Sequence, residues 1–300
     1  MVNFMAFRSE NHGPTRINQP REPGMILVAR SLRYPFFSLI VFVLSILVWN
    51  PDVSEAEDEG RTLRIMTYNI HHCEGVDGKL DVERIAGVIR KQECDLVALQ
   101  EVDRNTLRSQ RVDQLAELGR LTGLQPYFGK AIDYGGGEYG LGILSRLPIL
   151  ESKLMQLPSG SNREKRIVIE VVVQPKTGPR FVFACTHLDH SSGENDRAQQ
   201  IKELKKLFGG GPSQAILAGD FNCTSDNTEL APILAYWSDV DAEKMSPTIP
   251  VAMPNRKIDY IFLQRDCPWS VDSAQVLDEP VASDHLPLIS TFRLSSDRAK

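Results

Sequence analysis

Six short stretches place acids, amides or histidines directly after apolar runs, at points where a buried strand typically ends and a loop begins. Strand ends bring side chains from distant parts of a chain to one edge of a sheet, where they can act together. The chemistry that these residue types favour is hydrolysis assisted by a divalent metal ion. The six stretches are residues 67–70, 99–102, 186–189, 219–222, 258–261 and 283–287.

A phosphoester hydrolase needs a hard cation that is held by few oxygen ligands, so that phosphate and water keep coordination positions. It also needs a base for the water, a donor that stabilises charge on the phosphate, and a proton for the leaving oxygen. Asn69 and Glu101 supply oxygen ligands at neighbouring strand ends. The sequence therefore provides the metal-binding part of such a site.

The later stretches supply the remaining parts. Asp220 and Asn222 are two residues apart, so they point the same way if the segment is extended. This pair can hold a water molecule while its amide contacts phosphate. His187 and His285 are natural phosphate partners, and Asp259 can fix the tautomer of one of them.

Each of these residues also has a purely structural explanation. A glutamate after an apolar strand, such as Glu101, is usually a solvated strand end, and a single histidine such as His187 is usually a hydrogen-bond donor. Asp220 can be a turn residue that binds its own backbone, and Asp284 can cap a loop. Six such placements in one chain favour a catalytic site over six independent accidents.

The pattern between the stretches predicts many strands and three helices. Asp81 is the expected cap of the first helix, and residues 112–121 and 195–208 have helical spacing. The pair Leu147-Pro148 is predicted to turn one strand into its neighbour. Two packed sheets, each covered by helices on its outer face, accommodate this order of elements. The predicted strands are residues 63–68, 96–99, 142–145, 149–154, 167–173, 181–185, 215–218, 258–263, 271–276 and 288–292.

The amino-terminal part differs from the rest. Residues 34–51 carry no charge and are mostly apolar, with arginines before them and acids after them, which is typical of an export signal. We therefore predict a leader at residues 1–56, either a cleaved signal peptide or a retained membrane anchor, and a catalytic domain at residues 57–300. Met25 is an alternative start that would give a signal of ordinary length. The domain is then expected to be secreted, periplasmic or attached to the membrane outside the cytoplasm.

The formal net charge is −5; residues 1–56 hold five arginines and four acids, so the remainder carries about −6. An acidic domain lacks the basic surface of a tight, non-specific nucleic-acid binder. Among the cations, Arg146 and Arg166 are candidates for contacting a substrate phosphate, with salt bridges to surface acids as the alternative. Of the five cysteines, Cys73 and Cys223 flank site motifs and are candidates for pairing or reactivity.

The ordered set of motifs resembles the endonuclease/exonuclease/phosphatase superfamily, the metal-dependent relatives of pancreatic deoxyribonuclease. The resemblance runs from about residue 61 to residue 293 and depends most on residues 219–222 and 283–287. It implies an α/β fold, a four-layer α-β-β-α sandwich of two packed mixed sheets flanked by helices. It also implies Mg²⁺-dependent attack of water on a phosphoester, with Mn²⁺ as a substitute ion. On this pattern Glu101 is the principal metal ligand, with Asn69 close by and Asp284 as a further ligand.

The resemblance also implies catalytic roles. Asp220 would orient or deprotonate the attacking water, and Asn222 would bind the phosphate. His285 would stabilise the phosphate in the transition state, oriented by a carboxylate, and Asp259 matches the acid of the penultimate motif. His187 would contact phosphate or help to protonate the leaving group.

We therefore predict a Mg²⁺-dependent hydrolase of a small or lipid-derived phosphodiester or phosphomonoester. A secreted or periplasmic nuclease is the alternative within the enzyme class, because residues 255–260 resemble both sphingomyelinase-type phosphodiesterases and some deadenylases. The alternative of another class is a non-catalytic binding protein that keeps the fold. No strong nucleic-acid-binding surface and no protein partner are predicted, whereas the leader predicts membrane association.

Overall fold

The structure, a computed structural model, describes residues 62–191, 196–209 and 214–294. More of the described residues belong to strands than to helices. The strands are β1 (Thr62–Asn69), β2 (Leu96–Arg104), β3 (Gln125–Tyr134), β4 (Gly137–Ser145), β5 (Ile149–Gln156), β6 (Ile167–Val173), β7 (Phe181–His187), β8 (Ala215–Asp220), β9 (Trp237–Asp239), β10 (Asp259–Gln264), β11 (Trp269–Val276) and β12 (Leu288–Leu294). The helices are α1 (Val82–Lys91), α2 (Gln114–Thr122), α3 (Asp196–Phe208) and α4 (Ala231–Leu234), with 3-10 turns at His71–Cys73 and Thr228–Leu230.

The strands form two mixed six-stranded sheets. The first sheet has the order β11-β12-β1-β2-β4-β3, and the second has the order β5-β6-β7-β8-β10-β9. In each sheet one central pair is parallel, β1 with β2 and β7 with β8. Strands β2, β7 and β8 are largely buried on both faces and begin with continuous apolar runs, whereas β1 includes the half-buried Arg64.

Three apolar clusters define four layers. Side chains such as Ile65 and Phe183 pack between the sheets, Ile85 and Leu118 attach α1 and α2 to the first sheet, and Ile201 attaches α3 to the second. The helices therefore cover the outer faces, and the predicted four-layer α-β-β-α sandwich is confirmed.

The helix starts follow from local capping. The Asp81 side chain accepts a hydrogen bond from the backbone N–H of Arg84 at 2.8 Å, as predicted for the cap of α1. Asp113 caps α2 in the same way at Ala116, with a distance of 3.0 Å. The second helix therefore begins at Gln114, two residues after the predicted position.

One turn prediction was wrong. The pair Leu147-Pro148 does not turn one strand into its neighbour, because β4 pairs with β2 and β3 while β5 pairs with β6 in the other sheet. This segment instead crosses between the sheets. The tight turn between β3 and β4 is formed by Gly135 and Gly136, with φ values of 53° and 74° that glycine adopts without strain.

The predicted leader and its apolar run lie outside the described residues, as does residue 195 before α3. Within the part of the chain that the structure describes, none of the helices is both long and apolar enough to cross a bilayer.

All five cysteines are buried, and neither Cys73 nor Cys223 is in a disulfide. The prediction that Cys73 and Cys223 are candidates for pairing or reactivity is therefore wrong for pairing. Burial raises the pKa of the Cys223 thiol to about 12 and raises that of Cys73 further, so neither forms a thiolate readily. Both act as small apolar side chains beneath the site.

Candidate active site

The carboxyl ends of the two parallel strand pairs meet at one edge of the sandwich. In the first sheet Asn69, the last residue of β1, lies beside Gln100 of β2. In the second sheet His187 and Asp259 are both register partners of Asp220. The Asn69 Nδ2 donates to Asp220 Oδ2 at 3.2 Å, which joins the two sheets at this edge. Side chains from distant parts of the sequence therefore converge here.

A β-bulge in β2 positions Glu101. The pairing of β2 with β4 shifts register between Leu99 and Val102, and Glu101 has a φ of 60°. The extra residue of a bulge turns a side chain away from the normal strand alternation. Gln100 points into the core, where its amide donates to Thr67 Oγ1 at 3.2 Å. The half-buried Glu101 carboxylate faces Asn69 at the site edge.

Asn69 connects the two principal carboxylates. Its Nδ2 donates to Glu101 Oε1 at 3.1 Å as well as to Asp220, and its Oδ1 accepts from the backbone N–H of His71 at 3.1 Å. This geometry makes Asn69 a bridge that fixes the spacing of Glu101 and Asp220. Its amide oxygen already accepts a hydrogen bond from the backbone. Its role as a metal ligand therefore stays a prediction.

Strand β8 ends at Asp220 and the chain bends at Asn222, so the prediction that Asp220 and Asn222 project from one extended segment was wrong. Asn222 has a φ of 51°, and its backbone N–H donates to Asp220 Oδ1 at 2.8 Å. Gly219 is required at this point because a Cβ there would overlap the carbonyl oxygen of Thr186. One oxygen of Asp220 therefore binds the local backbone, as its structural explanation expects, while its second oxygen faces the site.

His285 is held as an imidazolium between two carboxylates. Its Nδ1 lies 2.9 Å from Asp259 Oδ2, and its Nε2 lies 3.8 Å from Asp220 Oδ2. Burial lowers the pKa of His285, but the charge and hydrogen bond of Asp259 together with the charge of Asp220 outweigh burial and raise the pKa to about 10. Burial and the charge of Asp259 raise the pKa of Asp220 to about 7.

His187 is the neutral histidine of the site. Its Nε2 lies 3.1 Å from Asn222 Nδ2 and 3.5 Å from Asp220 Oδ2. Burial lowers its pKa well below the usual range, and the nearby charges of Arg166 and His285 lower it further. Because Asn222 Nδ2 can only donate, the His187 Nε2 accepts this bond and the proton lies on Nδ1.

The loop before β12 is fixed to the first sheet by Ser283. The Ser283 hydroxyl donates to the carbonyl of Asn69 at 2.7 Å and accepts from the backbone N–H of His285. Asp284 is half-buried, and its Oδ1 lies 3.3 Å from the same hydroxyl. Its role as a further metal ligand stays a prediction.

The two arginines selected from the sequence have different positions. Arg146 contacts Asp95 and the carbonyl of Cys94, immediately before β2 begins. Glu101 is six residues further along this strand, a separation of about 20 Å at the usual rise of a strand. Arg146 lies near the start of β2 and is therefore too far from Glu101 to contact the same phosphate. The prediction of a substrate contact for Arg146 is wrong.

Arg166 lies beside the site. It lines a narrow cavity together with His187, Tyr139 and Glu164, and its Nη1 lies 3.0 Å from Glu164 Oε1. Its Nε is buried and has no hydrogen-bond partner among the described residues. An arginine with an unsatisfied N–H at this position is suited to a phosphate oxygen.

Within the ranges that the structure describes, two groups of side chains have the spacing to hold a metal ion. The first contains His71, His72 and Glu101, and the second contains Asp220, Asp259 and His285. In each group the ligand atoms lie within 4.8 Å of one another. In the second group His285 is itself protonated, and its positive charge opposes a metal ion. The first group therefore fits a cation better.

Sequence reasoning missed a small cavity next to Glu101. The cavity has a volume of about 140 Å³ and is lined by Arg108, Tyr134, Tyr139 and Glu164 besides Glu101. The Arg108 guanidinium stacks over the Tyr134 ring at 4.5 Å. These residues come from β3, β4 and the loops beside them, and no spacing in the sequence indicates that they meet.

The fold and the site define a class, that of the four-layer α-β-β-α phosphoester hydrolases with carboxylates and histidines at one sandwich edge. Residues 66–285 match the model of the Endonuclease/Exonuclease/phosphatase family. The match covers most of the chain, and the protein therefore belongs to this family of phosphoester hydrolases. A comparison with curated proteins found no match.

Solved structures with the same fold come from several organisms. An endonuclease/exonuclease/phosphatase from Beutenbergia cavernae is 24% identical, with 78% of this chain and 72% of that chain covered and a TM-score of 0.68. A mannosyl-6-phosphatase from Bacteroides thetaiotaomicron is 21% identical, with 77% and 99% covered and a TM-score of 0.63. The human Nocturnin catalytic domain with bound sulfate is 21% identical, with 78% and 94% covered and a TM-score of 0.63. At these identities the likeness concerns the fold alone.

Proposed function

We propose that the protein hydrolyses a small or lipid-derived phosphoester with the help of a divalent ion at Glu101. Mg²⁺ is the first ion to test, and Mn²⁺ is its substitute. The observation that carries the proposal is the Asn69 bridge, because it holds a candidate metal ligand and a candidate base at a fixed spacing. When bound, the ion supplies positive charge that offsets the charge of the phosphate oxygens.

The protein side chains supply the proton chemistry. Asp220 accepts a proton from the attacking water, and a pKa of about 7 suits a base that works near neutral pH. The charged His285 donates to a phosphate oxygen and stabilises the charge that develops in the transition state. Asn222 and His187 contact the phosphate from the other side of Asp220. Arg166 offers its unsatisfied N–H to a further phosphate oxygen.

The surroundings of the site support a small substrate group. The cavity beside Glu101 has a volume of about 140 Å³, which fits a compact head group rather than a nucleic-acid duplex. Two carboxylates line it, Glu101 and Glu164, and the domain after the leader carries a net negative charge. Carboxylates near the site oppose the polyanionic backbone of a nucleic acid.

We propose further that the domain acts outside the cytoplasm. The support is the charge pattern around the apolar residues 34–51. Cell fractionation followed by amino-terminal sequencing tests this point. A mature terminus near Glu57 indicates a cleaved signal, an intact chain in the membrane fraction indicates an anchor, and an intact soluble cytoplasmic chain contradicts export.

The test of the activity uses the full-length chain, purified in mild detergent and stripped of metal. The protein is assayed with Mg²⁺ or Mn²⁺ against sphingomyelin and other phospholipids, sugar phosphates, and plasmid DNA, single-stranded DNA and RNA. Asp220→Asn is the inactive variant, and Asp272→Asn is the matched control because Asp272 is an exposed carboxylate on β11.

Turnover of a lipid or a small phosphoester that disappears in Asp220→Asn and persists in Asp272→Asn supports the proposal. Turnover of nucleic acid alone, with the same dependence, supports the nuclease alternative instead. Equal turnover by the Asp220→Asn variant and the unsubstituted protein removes Asp220 from the mechanism.

A further inference from the structure

Two consecutive histidines face the candidate metal ligand Glu101. One ring nitrogen of His71, one of His72 and a carboxylate oxygen of Glu101 all lie within 4.8 Å of one another. The two rings are packed edge to face, with centroids 4.4 Å apart. Ligand atoms around a tetrahedral zinc ion at about 2.0–2.1 Å stand about 3.4 Å apart, so small side-chain rotations would complete such a site.

The hydrogen bonds leave one lone pair free on each ring. The Nδ1 of His71 lies 3.1 Å from the carbonyl of Glu74, and because a carbonyl only accepts, this nitrogen carries the proton. The Nε2 of His71 is then the unprotonated nitrogen. A bond from the other ring nitrogen to a backbone carbonyl is the usual outer contact of a metal-binding histidine.

His72 supplies a second, independent observation. The side chain is buried, and its Nδ1 has no hydrogen-bond partner among the described residues. Its Nε2 lies 3.5 Å from the Glu74 carboxylate and donates toward it, which leaves the buried Nδ1 as the acceptor. A buried acceptor without a partner costs free energy unless a cation or a donor occupies the position.

The backbone holds both histidines in an uncommon conformation. His71, His72 and Cys73 have φ values of 43°, 43° and 62°, which residues other than glycine rarely adopt. The Gln114 side chain fastens this turn to β2, because its Nε2 donates to the His72 carbonyl at 2.5 Å and its Oε1 accepts from the Asp103 backbone N–H at 2.9 Å. Such uncommon backbone conformations concentrate at functional sites.

Arg108 is the cation that acts on His72, where burial lowers the pKa and the charge of Arg108 lowers it further. The Arg108 guanidinium is paired with the Asp103 carboxylate through two hydrogen bonds of 2.7 and 2.8 Å. This pairing offsets part of its charge.

We propose that His71 and His72 bind a divalent transition-metal ion together with Glu101, with Zn²⁺ as the reference ion. The inference deepens the proposed function and relies on it for the role of Glu101. Two imidazoles and one carboxylate form a donor set that suits zinc and its neighbours, whereas Mg²⁺ prefers oxygen ligands alone. The proposal therefore assigns this protein a nitrogen-containing metal centre that favours a transition metal over Mg²⁺.

The experiment measures metal binding on the full-length, metal-free chain. Zn²⁺ affinity is obtained by competition with a chromophoric chelator, and Mg²⁺ affinity is obtained by calorimetry. The variants are His71→Asn and His72→Asn, because asparagine tolerates a positive φ and removes the imidazole. The control is His190→Asn, an exposed histidine outside the group.

Each of the two variants is expected to weaken Zn²⁺ binding by more than about 100-fold, since loss of an outer contact alone costs about 10–100-fold. Mg²⁺ affinity and the urea midpoint should stay the same, and His190→Asn should bind Zn²⁺ like the unsubstituted chain. Unchanged Zn²⁺ affinity in both variants would overturn the proposal. A loss that appears only in His285→Asn would overturn it too, because the ion would then lie at Asp220 and Asp259.

A measurement on the unsubstituted chain tests the proposal even if the variants misfold. Four-coordinate Co²⁺ absorbs visible light more strongly than six-coordinate aqueous Co²⁺, because a tetrahedral site lacks a centre of symmetry. Co²⁺ bound at the proposed tetrahedral site is therefore expected to give an intense visible band. A spectrum equal to that of aqueous Co²⁺ would overturn the proposal. None of these measurements involves turnover, so a failure here and a failure of the Asp220→Asn test remain distinguishable.

Discussion

Replacement of Asp259 by asparagine tests the charge arrangement on which the proposed mechanism depends. His285 is buried and lies 2.9 Å from the Asp259 carboxylate, which with Asp220 raises the pKa of His285 to about 10. The Asp259→Asn side chain keeps the shape and loses the charge. Burial then dominates and lowers the pKa, so that His285 is expected to be neutral at pH 7.5.

The magnitude follows from proton linkage. An unfolded histidine has a pKa of about 6.5, so a raised folded pKa stabilises the fold fully below about pH 6.5 and loses this effect as the pH rises through 10. Within this window the extra proton bound by the folded state changes the free energy of unfolding by about 1.4 kcal/mol per pH unit. From about pH 7.5 to 9.5 the unsubstituted protein should therefore lose about 3 kcal/mol relative to the Asp259→Asn variant.

The assay is urea unfolding of chelator-treated protein at several pH values across this window. The difference in unfolding free energy between the unsubstituted protein and Asp259→Asn should shrink as the pH rises. Asp272→Asn is the matched control, since that carboxylate is exposed and contacts no histidine. If the unsubstituted protein and Asp259→Asn lose stability in parallel across this range, His285 is not held as an imidazolium and its proposed role fails.

Three further experiments have defined outcomes. Gly219→Ala should destabilise the fold by about 1–3 kcal/mol in urea unfolding, because the added Cβ overlaps the carbonyl of Thr186, and an unchanged midpoint would contradict this packing. Arg166→Lys should lower kcat/KM by about 10–100-fold, the cost of a hydrogen bond to a charged group, whereas Arg146→Ala should leave it unchanged; equal effects would contradict the assignment. Removal of divalent ions should abolish turnover, and Glu101→Gln should raise the ion concentration needed to restore it; turnover that persists in excess chelator would refute metal dependence.

The sequence predicted the ends of β1, β7 and β8 for a physical reason, whereas β2 continues to Arg104, past its predicted end at residue 99. Buried parallel strands require apolar runs, so the first polar residue after each run marks the strand end. Asn69, His187 and Asp220 were located in this way. The order of elements predicted two packed sheets covered by helices, and the family resemblance implied the four-layer sandwich. The convergence of these side chains at one edge is a consequence of strand direction.

Other features depend on contacts between residues that are distant in the sequence. The bulge that turns Glu101 and the left-handed turn at His71 are held by Gln114 and by the pairing of β2 with β4. No local propensity indicates either of them. The error for Arg146 has the same origin, because the sequence does not reveal that the segment after β4 crosses to the second sheet.

The five buried thiols have a practical consequence for studies of this protein. Burial raises the pKa of Cys94 and Cys185 to about 12, as it does for Cys223, so little thiolate exists in the native fold. A thiol-specific dye should therefore react only when a molecule opens, and the five sites should react with one common rate if opening is global. The rate at which the native cysteines react therefore reports the rate of global opening, without any introduced label.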